Sequence, residues 1–411
     1  MAEKTQRPPL MPLGDALAAL LAHATPMRET QVVPTMDADG RVLAQDVVSG
    51  LSVPPADNSS MDGYALRTAD VSAVGTQLPV SQRIAAGSAG APLAQGTAAR
   101  IFTGAPIPDG ADAVVMQEET EPVGDAAVRI NAVPKSGQWI RRAGEDVTWG
   151  AHVLSRGDLL TPAAIGMAAG VGVSRLRVAP RPRVALFSTG DELVTPGDVA
   201  PDKMKPGAIY NSNRFFLRAL LRRAGCLVTD FGIVPDQRAL TVSALSVASR
   251  NHELILTSGG VSVGEEDHIK PAVESLGKLD LWQIAMKPGK PFAYGTVGSA
   301  HFIGLPGNPV SSFVTFLVLV RPFLLKLQGA SRIEPARIQL PAHFDWPRPD
   351  KRREFLRVRR NDAGGLDLFA NQSSGVLTSM VWGDGLVDVA AGATIKRGDP
   401  VPFISFSDLL H

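Results

Sequence analysis

Residues 257–270 read TSGGVSVGEEDHIK, with three glycines and two serines directly before three acids. Glycines let backbone N–H groups approach a ligand closely, and hydroxyls among them suit a phosphate. Glu265, Glu266 and Asp267 would repel that phosphate, so the stretch asks for a ligand that wants both anion donors and hard oxygens. Two further turns have related chemistry. STGDE (188–192) sets Ser188 and Thr189 beside Asp191 and Glu192, hydroxyls for a phosphate next to carboxylates for a divalent cation. In GLPGNPVSS (304–312), Pro309 fits the first helical position. The donors that follow, with the Ser311 and Ser312 hydroxyls, are then free for an anion.

MKPGKP (286–291) presents Lys287 and Lys290 around a Pro-Gly turn, point charges suited to an oxyanion. The first half of the chain places Asp62, Asp112, Glu118 and Asp146 in turn-like settings, where surface acids are common. RPDKRREFLRVRR (348–360) holds seven basic residues. The alternation of Leu356 and Val358 with Arg357 and Arg359 marks most of them as a solvent face. No Walker loop is present, and GVGVSR fails the dinucleotide fingerprint because Arg175 stands where the third glycine is required.

These turns need elements to hold them. RVALFS, CLVTDFGIV, ELILTS and HFIGL read as strands alternating with helices SNRFFLRALLRRAG, RALTVSALSVASR and NPVSSFVTFLVLVRPFLLKL. Such alternation predicts parallel strands and a doubly wound α/β sheet, whose ligands sit beyond the strands' carboxyl ends. All three phosphate-type turns fall there. The texture of the sequence changes near 51, 145, 181 and 329, with 51–145 β-rich, 181–328 α/β and 329–411 read as a small β-barrel.

The composition is that of a folded globular protein, with 411 residues, 45% hydrophobic and 20% charged. A net charge of +1 advertises no nucleic-acid partner. The single cysteine, Cys226, sits in an apolar stretch and reads as buried and inert. The seven histidines show no ligand spacing. Leu13, Ala16, Leu17, Leu20 and Leu21 follow helical spacing, so the N-terminus predicts an amphipathic helix in place of a signal peptide. The apolar run 313–320 stops at Arg321 and Pro322, short of the ~20 residues that span a bilayer. No membrane partner and a cytoplasmic location are expected.

DNSSMDGYA, RIFTGAPIPDGADAVVMQE, IRRAGED, STGDEL, IYNSN, LTSGGVSVGEED, MKPGKPFAYG and GLPGNPVS, in this order, closely resemble the MoeA family of molybdopterin molybdenumtransferases, which includes the E domain of gephyrin. The resemblance implies a MogA-like α/β domain (181–328) within an elongated four-domain subunit, in which 1–50 with 146–180 forms an N-terminal dimerisation domain beside the β-rich 51–145 and the barrel 329–411. It implies a homodimer, and a cleft formed between the α/β domain of one subunit and the MDGYA domain of the other. It also implies insertion of molybdate into adenylylated molybdopterin with Mg²⁺-assisted release of AMP. Transient contact with the molybdopterin-adenylating and downstream cofactor-maturation proteins would accompany that role.

Carried over by motif, Asp62, Thr103, Asp146, Glu192, Asp236 and Asp267 are the implied catalytic residues, with Glu192 and Asp267 the metal-associated acids. Ser188, Thr189, Gly190, Gly259, Gly260, Ser262, Gly264, Pro306 and Asn308 would bind the pterin-phosphate end. Lys287, Lys290 and Ser311 would bind molybdate, with Arg353 and Ser374 as further candidates. His268, Gln237 and Gln283 depart from the expected pattern. The alternatives are the preceding step, adenylylation of molybdopterin by ATP, and a non-catalytic pterin-binding scaffold.

Overall fold

The computed structural model describes residues 10–235, 237–260 and 269–410. At its centre is a six-stranded sheet ordered Leu227–Ile233, Arg183–Ser188, Leu254–Ser258, Ala300–Leu305, Pro291–Val297, Gly277–Gln283. The first four strands are parallel and coincide with the four strands expected from sequence. Strand 291–297 runs against both its neighbours, so the sheet is mixed. Its hairpin with 300–305 turns at Gly298, whose φ is +57°.

Strand 254–258 is buried along its whole length because helices cover both faces. Alternate residues serve opposite cores. Val184 and Leu186 pack with helices Ser212–Arg223 and Pro309–Leu327, whereas Ala185 and Phe187 pack toward Arg238–Ser249 and Ile269–Leu276. Leu186 and Leu256 are fully buried, and truncating either to Ala costs about 2–5 kcal/mol.

Helix 309–327 carries the one run among the described residues that is apolar and long enough to cross a membrane, and 83% of it is buried inside the fold. Arg321 and Pro322 do not end it, contrary to the sequence expectation. Residues 316–320 form a π turn immediately before Pro322, where the widened backbone accommodates a residue with no N–H to donate.

The helix Leu13–His23 buries Leu13, Ala16 and Leu20 against the α/β core, not against the strands that follow it. Those strands, Gln31–Pro34 and Val47–Val48, pair with Arg175–Val178 and His152–Leu154, which joins the chain on either side of the β-rich segment. The β-rich segment is a six-stranded sheet ordered 113–116, 63–66, 98–101, 76–84, 127–130, 120–123. Toward the C-terminus, strand Arg353–Arg360 pairs with Leu366–Leu368 and Gly385–Val389. The latter pairs with Pro400–Ser405, which pairs with Ile338–Pro341. A bridge between Ala342 and Leu366 closes this ring into the expected small barrel.

Candidate functional site

The carboxyl ends of strands 183–188, 254–258 and 300–305 open onto one cleft of about 610 Å³. Thr189 and Glu192, Gly259 and Gly260, and Pro306 and Asn308 line it, so the three turns singled out in sequence converge. The close approach is why glycine is needed. Gly259 and Gly260 have φ of +89° and +67°, and a Cβ on Gly259 would sit 2.8 Å from the Thr189 carbonyl oxygen. Asn213 ties the rim together, its Nδ2 donating to Ser258 Oγ and to the Gly307 carbonyl, both at 2.7 Å.

Several donors in and beside this cleft have no partner among the described residues. Thr189 Oγ1 and Asn211 Nδ2 are buried and unsatisfied, as are Ser188 Oγ and Ser312 Oγ beside the lining residues. Asn211 uses only its oxygen, which caps helix 212–223 by accepting from the Arg214 N–H. A buried donor left unpaired costs about 1–3 kcal/mol, so a cluster of them marks a surface completed by an acceptor-rich ligand. Ser311, 5% exposed, also lines the cleft. The Val310 N–H, expected to be free, donates instead to the Ser374 carbonyl at 2.9 Å.

The lysine turn divides its charges. Lys287 Nζ lies 2.7 Å from the buried Glu354 carboxylate and 3.7 Å from Asp350. Lys290 is half-buried beside Pro291 of the cleft lining and has no carboxylate partner among the described residues. Gly289 between them lets the turn press on helix 309–327, since a Cβ there would collide with Thr315 Oγ1.

Two expectations for the arginine-rich strand are corrected. Arg353 does not face the cleft. Its guanidinium is bound bidentately by the buried Asp388 carboxylate and borders a separate apolar groove beside helix 13–23. Arg357, read from sequence as solvent-facing, is 1% exposed. Its Nε donates to Ser379 Oγ, and its terminal nitrogens donate to the Phe355 and Ser373 carbonyls. Burial pulls its pKa down to about 10, and no carboxylate neutralises it among the described residues. Arg357 thus sits behind the 373–375 turn, whose Ser374 carbonyl holds the start of helix 309–327 and whose Gly375 lines the cleft.

Asp62 and Thr103 meet elsewhere. The Thr103 N–H and hydroxyl both donate to Asp62 Oδ1 at 2.8 Å. These bonds, with Arg100 nearby, hold the Asp62 carboxyl below the usual carboxylate range. Arg100 lies between the Tyr64 and Phe102 rings, and Arg83 lies over Phe102 at 4.5 Å. Asp146 is exposed, its N–H donating to the Val53 carbonyl. None of these residues lines the cleft of its own chain. Asp236, Ser262, Gly264 and Asp267, with the departure at His268, lie outside the described residues. Gln237 stands at the start of helix 238–249, and Gln283 ends its strand with its carbonyl accepting from the Met11 N–H.

For a divalent cation, the described part of the cleft offers one carboxylate, Glu192, exposed at the rim. Among the described residues no group of three His, Cys, Asp or Glu side chains is arranged to hold an ion. One carboxylate completed by ligand phosphate oxygens and water suits Mg²⁺, which keeps much of its hydration.

Residues 11–172 match the family described as MoeA N-terminal region (domain I and II). Residues 185–326 match the probable molybdopterin binding domain, and 339–406 the MoeA C-terminal region (domain IV). The chain is 40% identical over 340 residues to the molybdopterin molybdenumtransferase of Haemophilus influenzae, covering 82% of this chain and 81% of that one. The chain belongs to the MoeA family. Its relatives include the molybdopterin molybdenumtransferase of Nostoc sp., 34% identical over 97% of this chain and 93% of that protein. The crystal structure of the molybdopterin biosynthesis moeA protein from Pyrococcus horikoshii superposes with a TM-score of 0.82, at 28% identity, over 97% of this chain and 100% of that one.

In this MoeA-family chain the cleft lining falls within the stretch matched to the molybdopterin-binding description except for Gly375, which comes from the C-terminal match with Arg357 and Ser374; Asp62 and Thr103 come from the N-terminal match. Asn211, Asn213, Ser258, Gly375 and Arg357 were not among the expected site residues. The asparagines were signalled by IYNSN at a strand-to-helix junction, a natural capping position. Arg357 had no such signal, because a strand's alternation does not say which face is covered.

Proposed function

We propose that this chain is a transferase of molybdenum cofactor biosynthesis that inserts molybdate into adenylylated molybdopterin, with Mg²⁺-dependent release of AMP. The observation that carries the reading is a cleft lined by buried hydroxyl and amide donors without partners among the described residues, beside an uncommitted lysine next to its lining residue Pro291. Thr189, Asn211, Gly259 and Gly260 offer hydroxyl and amide donors of the kind a pyrophosphate needs. Lys290, next to the lining residue Pro291, and the lining Ser311 offer a cation and a hydroxyl of the kind a tetrahedral dianion needs. Lys287 contributes less charge, because Glu354 already holds it. Mg²⁺, when bound, neutralises phosphate charge, and Glu192 is the described acid placed to help hold it; Asp267 is its proposed companion.

Asp62, Thr103 and Asp146 lie in the β-rich part, which gives the cleft of its own chain no lining residue. We read them as completing the cleft of a second copy in a homodimer, where Asp62, ionised and oriented by Thr103, faces the reacting phosphate end. The four-unit division, with boundaries near 50, 146, 181 and 329, and a cytoplasmic location belong to the same reading.

The test is to supply adenylylated molybdopterin, Mg²⁺ and molybdate, then measure AMP and the activation of a cofactor-free molybdoenzyme. Molybdate-dependent AMP release that stops with a chelator is the expected result. Adenylylation of molybdopterin from ATP would mark the preceding step instead, and pterin binding without turnover would mark a scaffold.

A further inference from the structure

A second charged surface begins where the cleft ends. Helix 212–223 places Arg214, Arg218 and Arg222 four residues apart, a single row about 12 Å long. The row walls an open groove of about 520 Å³ that starts at Thr195 and Arg214, close in sequence to Glu192 and Asn213 of the cleft. Arg214 is committed to Asp230, its Nε lying 2.8 and 2.9 Å from the two carboxylate oxygens. Arg218, Arg222 and Arg223 are exposed and have no carboxylate partner among the described residues. Arg222 also borders a second hollow of about 820 Å³, where Arg181 is likewise unpaired while Arg183 is held by Glu253. On a chain of net charge +1, four unneutralised guanidiniums along one trough are a concentrated field.

The trough follows strand 227–233, which is the edge of the six-stranded sheet. The Leu227 N–H points inward, donating to the Pro182 carbonyl. In a parallel ladder the alternate amides, Val228 and Asp230, therefore face the open side. Phe215 and Leu227, each 53% exposed, offer apolar contacts along the trough.

We propose that this edge binds an acidic, extended segment of a partner protein by strand addition. Same-face side chains of an extended peptide repeat every ~6.6–6.8 Å, close to the ~6 Å step between successive arginines of the row. Guanidiniums favour carboxylates, and the open amides pair with a peptide backbone. A single-stranded nucleic acid would match the charge but leave the edge amides without their ladder. A partner docked here stands beside the mouth of the cleft, positioned to pass a ligand in or out without its release into bulk solvent.

The test uses the full chain and a fluorescein-labelled synthetic peptide in which Glu alternates with Val, read by anisotropy at low and high salt. Binding weakens about tenfold or more in the Arg218→Glu/Arg222→Glu double variant. Hydrogen exchange at Val228 and Asp230 slows when the peptide binds, and a peptide of equal charge interrupted by prolines binds poorly. Any of four results overturns the proposal: unchanged binding by the double variant, equal binding of the proline peptide, tighter binding of a single-stranded oligonucleotide of the same charge, or a double variant whose oligomeric state changes. The last would make the groove an interface between copies of this chain. Both arginines are exposed, and the Arg218→Gln/Arg222→Gln pair provides a milder variant with the same readout.

Discussion

The cleft of the α/β part and the Asp62–Thr103 turn of the β-rich part are opposite solutions to holding polar groups. In the cleft, hydroxyls and amides are buried without partners among the described residues, a demand for acceptors that those residues do not meet. At Asp62 the polar group is exposed, charged and already satisfied by Thr103. One surface presents donors to an anion; the other presents an anion already oriented. On the homodimeric reading proposed above, these two halves come from different chains.

The sharpest way to break that comparison is to mix variants. Lys290→Ala and Asp62→Ala should each lower AMP release by about 10²–10³-fold. Co-refolded together, they should recover about a quarter of wild-type activity, since half of randomly paired dimers carry one intact site of two. Absence of recovery would place both groups in one chain's site.

Arg357→Met should remove molybdate-dependent activity while leaving the melting temperature unchanged or higher, because a buried unpaired cation is costly to the fold. A large fall in melting temperature would assign Arg357 a structural role. Asn213→Ala, which removes the link between Ser258 and the Gly307 carbonyl, should cost about 1–3 kcal/mol in chemical denaturation. Ser188→Ala, by contrast, deletes a buried hydroxyl with no partner among the described residues, and should raise stability by up to about 1–3 kcal/mol.

The smallest effect concerns pH. With its folded pKa depressed, Asp62 adds a contribution to stability that is present above the unfolded value near ~3.9 and lost only as pH falls through the lower folded value. NMR titration of the Asp62 carboxyl should therefore show a midpoint below that of a free aspartate. A midpoint at or above it would mean that the Thr103 bonds do not persist in solution.

Much of the cleft was legible in sequence because turns declare themselves. Gly, Pro, Ser and Asn at strand ends have few other uses, and STGDE, SGG and LPGNP do converge. Three of the four parallel strands, 183–188, 254–258 and 300–305, were equally plain, being apolar runs buried along nearly their whole length. Strands 277–283 and 291–297 were not foreseen, because KLDLWQ and PFAYGTV flank a lysine turn that drew attention to itself. Arg353 and Arg357 were the least legible. Both stand in one alternating strand, and only the covering 373–379 segment and the buried Asp388 decide which guanidinium is left over.

The segment around the lysine turn has a practical consequence for anyone dividing this chain. Residues 286–287 pair with Arg353 and Glu354 of the barrel, while Ala285 and Gln283 exchange backbone bonds with Met11. Met286, fully buried, packs with Phe355 in a core that also includes Leu13. Excising residues 181–328 as a separate domain would strip both neighbours from this strip, baring two lines of backbone donors and acceptors and an apolar patch together. Such a fragment would be sticky, whereas a cut between the β-rich segment and the rest would sever only short strands and turns.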